Sequence, residues 1–356
     1  MYDGILLLGK VINEQTDIRQ IISLNFAAVK NKPNVYFLLF DEYPGYKSLA
    51  DSFNFKNDIF YNNLKTDGFS ILPIFSNYNM TSFSMSSILN MQYISEIQDP
   101  LMIHQNDVQA RSKEIKNGNV FKAFSQMGYR INNYSLFDVQ NHKSLGGNSF
   151  ILGHSRLLTD KLFHNRLIKD IGWIFLTGKY ASPIFQHFYF GDIKYYNEKV
   201  AESLDRIDLK NHKESQFTYA HFLIPHQPYF YDSTGKPNPL KNLEDDITLR
   251  NKEIFLSYLK FCNKQILLLE KKIKHNDPSS IIILMSDHGF RYYNNSKIFE
   301  PLNFDNFCAI RNLEVRNNLS DHISNVNLFR YIFNTNFNQR LPYLKDSICV
   351  LKEANP

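Results

Sequence analysis

The chain has 356 residues, of which 43% are hydrophobic and 21% charged, with 30 Phe, 21 Tyr and a formal charge of +5. This composition excludes a disordered chain, which needs low hydrophobicity and high net charge, and it suffices to bury a large core. Lys and Arg are scattered rather than blocked together, so no nucleic-acid partner is expected, and a weak basic bias suits anionic substrates or an anionic membrane surface.

Cys262, Cys308 and Cys349 are an odd number at no metal-like spacing, and their apolar neighbours make them free thiols. No window reaches the ~18 continuous apolar residues of a membrane helix. The stretch from Met1 to Val11 has no basic leader or small-residue cleavage site, so the chain reads as soluble and unexported.

Residues 1–32 read as a lead-in segment ending at the turn Asn31 to Asn34, and residues 33–356 as one α/β domain. Val35 to Asp41 is an apolar run too short for a buried helix and bounded by polar residues, which predicts a central parallel strand. Pro44 and Gly45 enforce a turn. A helix is then expected over 57–67, closed by Gly68, and a strand over 69–74. From Thr81 to Tyr93 the residues Phe83, Met85, Ile88, Leu89 and Met91 recur at helical spacing, which puts Thr81 at or near a helix N-terminus.

Another helix is expected over 105–125 and a strand over 129–134. Residues 140–215, aromatic-rich and less regular, read as a helical insertion over one end of the sheet. Phe217 to Ile224 predicts a strand running into Pro225 and His226. A long amphipathic helix over 249–275 leads to the apolar run Ile281 to Met285, followed by Ser286, Asp287, His288 and Gly289. The tail from 301 to 351 mixes short strands with a helix near 325–333.

Two strands separated by more than two hundred residues therefore end in side chains that bind metals. In open α/β sheets, ligands collect beyond the carboxyl ends of the strands, where Asp41, Asp287 and His288 would stand together. A carboxylate beside an imidazole is a mixed oxygen and nitrogen set that suits zinc or manganese, with magnesium or calcium as alternatives. Thr81 would complete four ligands, and a metal-bound threonine oxygen is a nucleophile at neutral pH. The chemistry implied is attack on a phosphate or sulfate ester. Glu42 is an alternative to Asp41, and Ser82 or Ser84 to Thr81. The bland alternatives are Thr81 as only an N-cap and His221 as a structural histidine.

The segments 34–41, Ser76 and Asn77 through Thr81 to Met91, His221 through His226 to Tyr229, and Ser286 to Gly289 with Arg291 resemble, in that order, the sulfatase-like branch of the alkaline phosphatase superfamily. Bacterial lipoteichoic acid synthases and phosphoethanolamine transferases are the members they look most like, and the likeness extends to Ser324 to Arg330. It implies an α/β/α sandwich with a mostly parallel sheet, with Asp41, Thr81, Asp287 and His288 holding one divalent ion and Thr81 as the nucleophile. His226 would protonate the leaving oxygen or bind a nonbridging one. Asn77, His221 and Arg291 would contact the substrate, a phosphorylated glycolipid or cell-surface glycan at the cell envelope.

Formylglycine sulfatases carry proline and arginine after the nucleophile, and Thr81 is followed by neither, which makes sulfate hydrolysis the second expectation. A noncatalytic glycan- or lipid-binding relative is the third. Relatives in this branch often carry N-terminal membrane helices. Here the expectation is a soluble enzyme, one that reaches the membrane peripherally or through a partner, or an incomplete gene product.

Overall fold

The computed structural model describes residues 31–145, 183–206, 214–239, 252–291, 301–313 and 323–354, together with Val29 and Leu243. The expected lead-in lies almost wholly outside these residues, as do 146–182 and 207–213 of the expected insertion.

In chain order the first elements are β1 (Val35–Phe40), α1 (Tyr46–Phe53), α2 (Asp58–Thr66), β2 (Phe69–Ile71), β3 (Ile74–Phe75), α3 (Thr81–Asn90), α4 (Gln105–Lys116), α5 (Asn119–Gln126) and β4 (Arg130–Tyr134). They are followed by α6 (Pro183–Asp205), β5 (Gln216–Phe222), α7 (Lys252–Asn276), β6 (Ile281–Met285), β7 (Asp305–Asn306), β8 (Cys308–Arg311), β9 (Ile323–Ser324) and α8 (Leu328–Asn336). Short 3-10 turns occupy Pro301–Asn303 and Asn325–Asn327. Among the described residues no helix is long and apolar enough to cross a membrane.

The main sheet has the order β2-β8-β6-β1-β5-β4. The three pairings among β6, β1, β5 and β4 are parallel, and β8 runs antiparallel to both β6 and β2. A small sheet, β7-β3-β9, lies apart from it. Every residue of β1, β5 and β6 is buried, as expected of strands covered on both faces.

The period of two along each strand divides the core. Val35, Phe37 and Leu39 of β1, with Ile281, Ile283 and Met285 of β6, pack with α3, α5 and α8. Tyr36, Leu38, Phe40, Ile282 and Leu284 pack on the other side with α1, α2, α6 and α7. This is the expected α/β/α sandwich. Odd-numbered positions of β1 and β6 face α3, and Asp41 and Asp287 continue that numbering beyond the strand ends.

Two expected elements are divided and a third is shortened. The strand over 69–74 breaks at Pro73, which has no N–H for a ladder, so β2 joins the main sheet and β3 the small one. The helix over 105–125 breaks at Asn117 and Gly118, where a Cβ on Gly118 would sit 3.1 Å from the carbonyl oxygens of Ile115 and Leu89. The helix begun at Thr81 stops at Met91, which adopts φ 55°. The unexpected α1 buries Leu49 and Phe53 on one face. Cys262 and Cys308 are buried free thiols, and Cys349 is a half-buried one.

Candidate active site

Parallel pairing aligns the strand ends. Leu39 is level with His221 on one side and with Met285 on the other, so the chain leaves β1 and β6 at nearly the same height. The Asp41 N–H still donates to the Phe222 carbonyl at 2.9 Å, which holds Asp41 against the end of β5. Beyond β6 the chain turns at Gly289, whose N–H donates to the Asn303 carbonyl at 2.9 Å. A Cβ on Gly289 would fall 2.1 Å from the Leu302 carbonyl oxygen, a distance no side chain tolerates. The glycine is therefore required by close backbone approach.

Asp41, Asp287 and His288 converge, each buried, with one ligand atom apiece lying within 4.8 Å of the others. His288 Nε2 is 3.3 Å from Asp287 Oδ2 and 4.0 Å from Asp41 Oδ1. The other ring nitrogen, Nδ1, lies 2.7 Å from the Gly289 carbonyl oxygen, an acceptor only, so Nδ1 carries the hydrogen and Nε2 turns a lone pair to the cluster. Thr81 Oγ1 is 3.3 Å from the same Nε2.

Thr81 is the first residue of α3. Met80 occupies the N-cap, so the threonine hydroxyl is not spent on capping. A hydroxyl of α3 does anchor the site: Ser84 Oγ donates to the Asp287 carbonyl at 2.6 Å.

Asp41 Oδ1 and Asp287 Oδ2 are buried without hydrogen-bond partners. Buried carboxylate oxygens normally find donors, and two such atoms aimed at one point beside an imidazole lone pair fit a divalent cation. Asp41, Asp287, His288 and Thr81 are the residues that would hold it. Burial alone would raise the Asp41 carboxyl, but the nearby His226 and then the hydrogen-bonding contact with His221 outweigh it and hold the group well below the usual carboxylate range.

The remaining expected site residues separate into distinct roles. The carboxylate of Glu42 accepts the Arg291 backbone N–H at 2.9 Å and lies 3.8 Å from Arg291 Nε and 3.6 Å from His226 Nε2. Glu42 therefore faces Arg291 and His226, while Asp41 joins the cluster. His226 lies between two cis X-Pro bonds and is partly open, with Nδ1 2.6 Å from the Gln227 carbonyl oxygen.

His221 is fully buried, with Nε2 3.7 Å from Asp41 Oδ2 and Nδ1 3.1 Å from the Tyr219 hydroxyl. Its side chain thus faces Asp41 from within the core. Asn77 is likewise engaged elsewhere. Its amide donates to the Ser347 carbonyl at 2.8 Å and accepts the Val326 N–H at 2.8 Å, so it ties the loop before Thr81 to the tail.

Three polar residues to which the sequence reading gave no role hold the ligands. Ser286 Oγ donates to the Tyr43 carbonyl at 2.7 Å and accepts the Phe307 N–H at 3.0 Å. Asn306 donates to the Ser286 carbonyl at 2.8 Å, and Asn325 to the Asp287 carbonyl at 2.9 Å. Their signal in the sequence is only that they are polar residues at the ends of apolar runs.

The Sulfatase family model matches residues 50–322, a span that includes Thr81, His226, Asp287 and His288 and that begins after Asp41. No curated protein matches the chain in sequence. Among solved structures, Ps i-CgsB in complex with k-i-k-neocarrahexaose is similar with a TM-score of 0.53 at 13% identity, over 89% of this chain and 75% of that one. The phosphonate monoester hydrolase SpPMH from Silicibacter pomeroyi gives a TM-score of 0.51 at 12% identity, over 89% and 75%. A Bacteroides thetaiotaomicron protein from work on the metabolism of multiple glycosaminoglycans gives 0.50 at 13%, over 85% and 72%. At such identities these three share a fold with the chain, and the family match carries the assignment: this chain belongs to the sulfatase family, the sulfatase-like branch of the alkaline phosphatase superfamily.

Proposed function

We propose that the protein is a divalent-metal-dependent phosphotransferase or phosphodiesterase in which Thr81 takes up the transferred group. The observation that carries this reading is the hydroxyl of Thr81, free of capping duty and 3.3 Å from His288 Nε2, at the edge of two orphaned buried carboxylate oxygens. When bound there, a zinc or manganese ion supplies Lewis acidity, lowering the pKa of the hydroxyl and neutralising charge on the transferred group.

The chain's own residues divide the remaining work. Thr81 Oγ1, its proton lost to water, forms the new bond to phosphorus as the bond to the leaving oxygen breaks. His226, partly open and paired with Glu42, gives the leaving oxygen a proton from Nε2. In the second half an acceptor hydroxyl or water passes its proton to that Nε2 and attacks phosphorus. Thr81 Oγ1 then departs and recovers a proton from water. Arg291 binds a nonbridging oxygen, and His221 holds Asp41.

The substrate class is a phosphorylated head group on a glycolipid or cell-surface glycan, reached directly or at a membrane surface. Family membership supports it, as do two structures of the same fold, one described as a phosphonate monoester hydrolase and one in complex with an oligosaccharide. Sulfate-ester hydrolysis is the second reading, favoured by the family match and disfavoured by the residues after Thr81. Rates on aryl phosphate, bis-aryl phosphate and aryl sulfate, measured with zinc and with manganese, decide between them. Phosphate-ester turnover that requires the added ion is the expected outcome, and turnover of the sulfate alone refutes it.

A further inference from the structure

Glu42 follows a residue of the metal cluster yet does not join it. Its backbone sits at φ 62°, in the left-handed region that costs a side-chain-bearing residue energy. Its N–H donates to Asp287 Oδ1 at 3.1 Å. Asp41 and Glu42 are adjacent in sequence, yet their carboxylates face different partners, Asp41 the ligand cluster and Glu42 Arg291 and His226. Glu42 is only 2% exposed, so its charge acts through little water.

This arrangement affects charge selection. Asp41 and Asp287 together match the two charges of a divalent ion. Arg291, to which the reading above gives a nonbridging oxygen of the ester, has the Glu42 carboxylate 3.8 Å from its Nε. A strained backbone that buries a third carboxylate against the anion-binding groups is unfavourable for holding a doubly charged ester and tolerable for a singly charged one.

We propose, resting on the phosphotransfer reading above, that Glu42 is a positioning and specificity-determining residue: its buried carboxylate fixes Arg291 and His226 and biases the site toward singly charged phosphodiesters over doubly charged monoesters.

The test compares wild type, Glu42→Gln and Arg291→Gln on bis-aryl phosphate and aryl phosphate, with zinc binding followed by calorimetry. Gln keeps the acceptor for the Arg291 N–H and removes the charge. Glu42→Gln is expected to bind zinc within about threefold of wild type and to shift the kcat/KM ratio about tenfold toward aryl phosphate. Arg291→Gln is expected to shift the ratio about as far toward bis-aryl phosphate, which provides a reading even if Glu42→Gln folds poorly.

Equal losses on both esters, or collapse of zinc binding in Glu42→Gln, overturn the proposal, the second by making Glu42 a ligand. An unshifted ratio in Arg291→Gln overturns it as well. A Thr81→Ala control separates the failures: if that variant keeps turnover, the phosphotransfer reading falls and this inference with it, whereas its inactivity leaves the Glu42 result to stand alone.

Discussion

Thr81 Oγ1 and His288 Nε2 lie 3.3 Å apart although 207 residues separate them in sequence. One stands at the start of α3 and the other just past β6, so their approach follows from α3 packing on the face of the sheet that the odd-numbered strand residues cover. Ser84, one turn along α3, fixes the spacing through its bond to the Asp287 carbonyl.

The buried carboxylates predict a stability that depends on metal. Asp41 Oδ1 and Asp287 Oδ2 have no protein donors, so an ion that binds only the folded state raises its stability by about 2.7 kcal/mol at a hundredfold excess over Kd. Zinc added to chelator-treated protein should raise Tm by several degrees. Asp287→Ala should abolish that rise, and an undiminished rise in this variant places the ion elsewhere.

Gly289→Ala tests whether the turn that carries the ligands tolerates a side chain. The added Cβ meets the Leu302 and Asp305 carbonyl oxygens at 2.1 and 2.6 Å, both of them backbone. The turn must shift and take His288 with it. Loss of roughly 2 kcal/mol or more in denaturant unfolding is expected, together with weakened zinc binding. A variant with wild-type values in both measurements shows that the turn has slack.

Glu270 on α7 predicts a pH dependence away from the site. It is fully buried, beside the Asp67 carboxylate. Burial first, then the charge of Asp67, pushes its carboxyl up to about 7. The folded chain therefore holds a proton that the unfolded chain has released between the ordinary value of 4.5 and about 7, and stability falls as pH rises through that window. Glu270→Gln should remove this slope and melt higher than wild type at about pH 8, with little difference at about pH 4.5. Parallel Tm curves for the two proteins across the window contradict it.

Much of this architecture is legible from periodicity. The apolar runs at β1, β5 and β6 are continuous because both faces are covered, and the three-and-four spacing after Thr81 defines α3. Breaks inside elements were less visible. Pro73 divides a strand by lacking an N–H, and Gly118 divides a helix through tertiary contact with Leu89, which local pattern does not encode.

At the site, Asp41, Asp287, His288 and Thr81 could be read from strand ends, a helix start and family likeness. The division of labour between Asp41 and Glu42 could not, because it depends on the left-handed backbone at Glu42 and on Arg291 and His226 arriving from other loops. Asn77 resembled a substrate ligand in sequence, and only the path of the tail explains how it is used.

In the proposed reaction Thr81 accepts the transferred group while the ion rests on the other ligands as well. The most direct measurement of this step is turnover of bis-aryl phosphate by Thr81→Ala, with the metal content of the same sample determined in parallel. Loss of at least about a thousandfold in kcat, with near-stoichiometric metal retained, is expected. Turnover within about tenfold of wild type in the metal-loaded variant would contradict it.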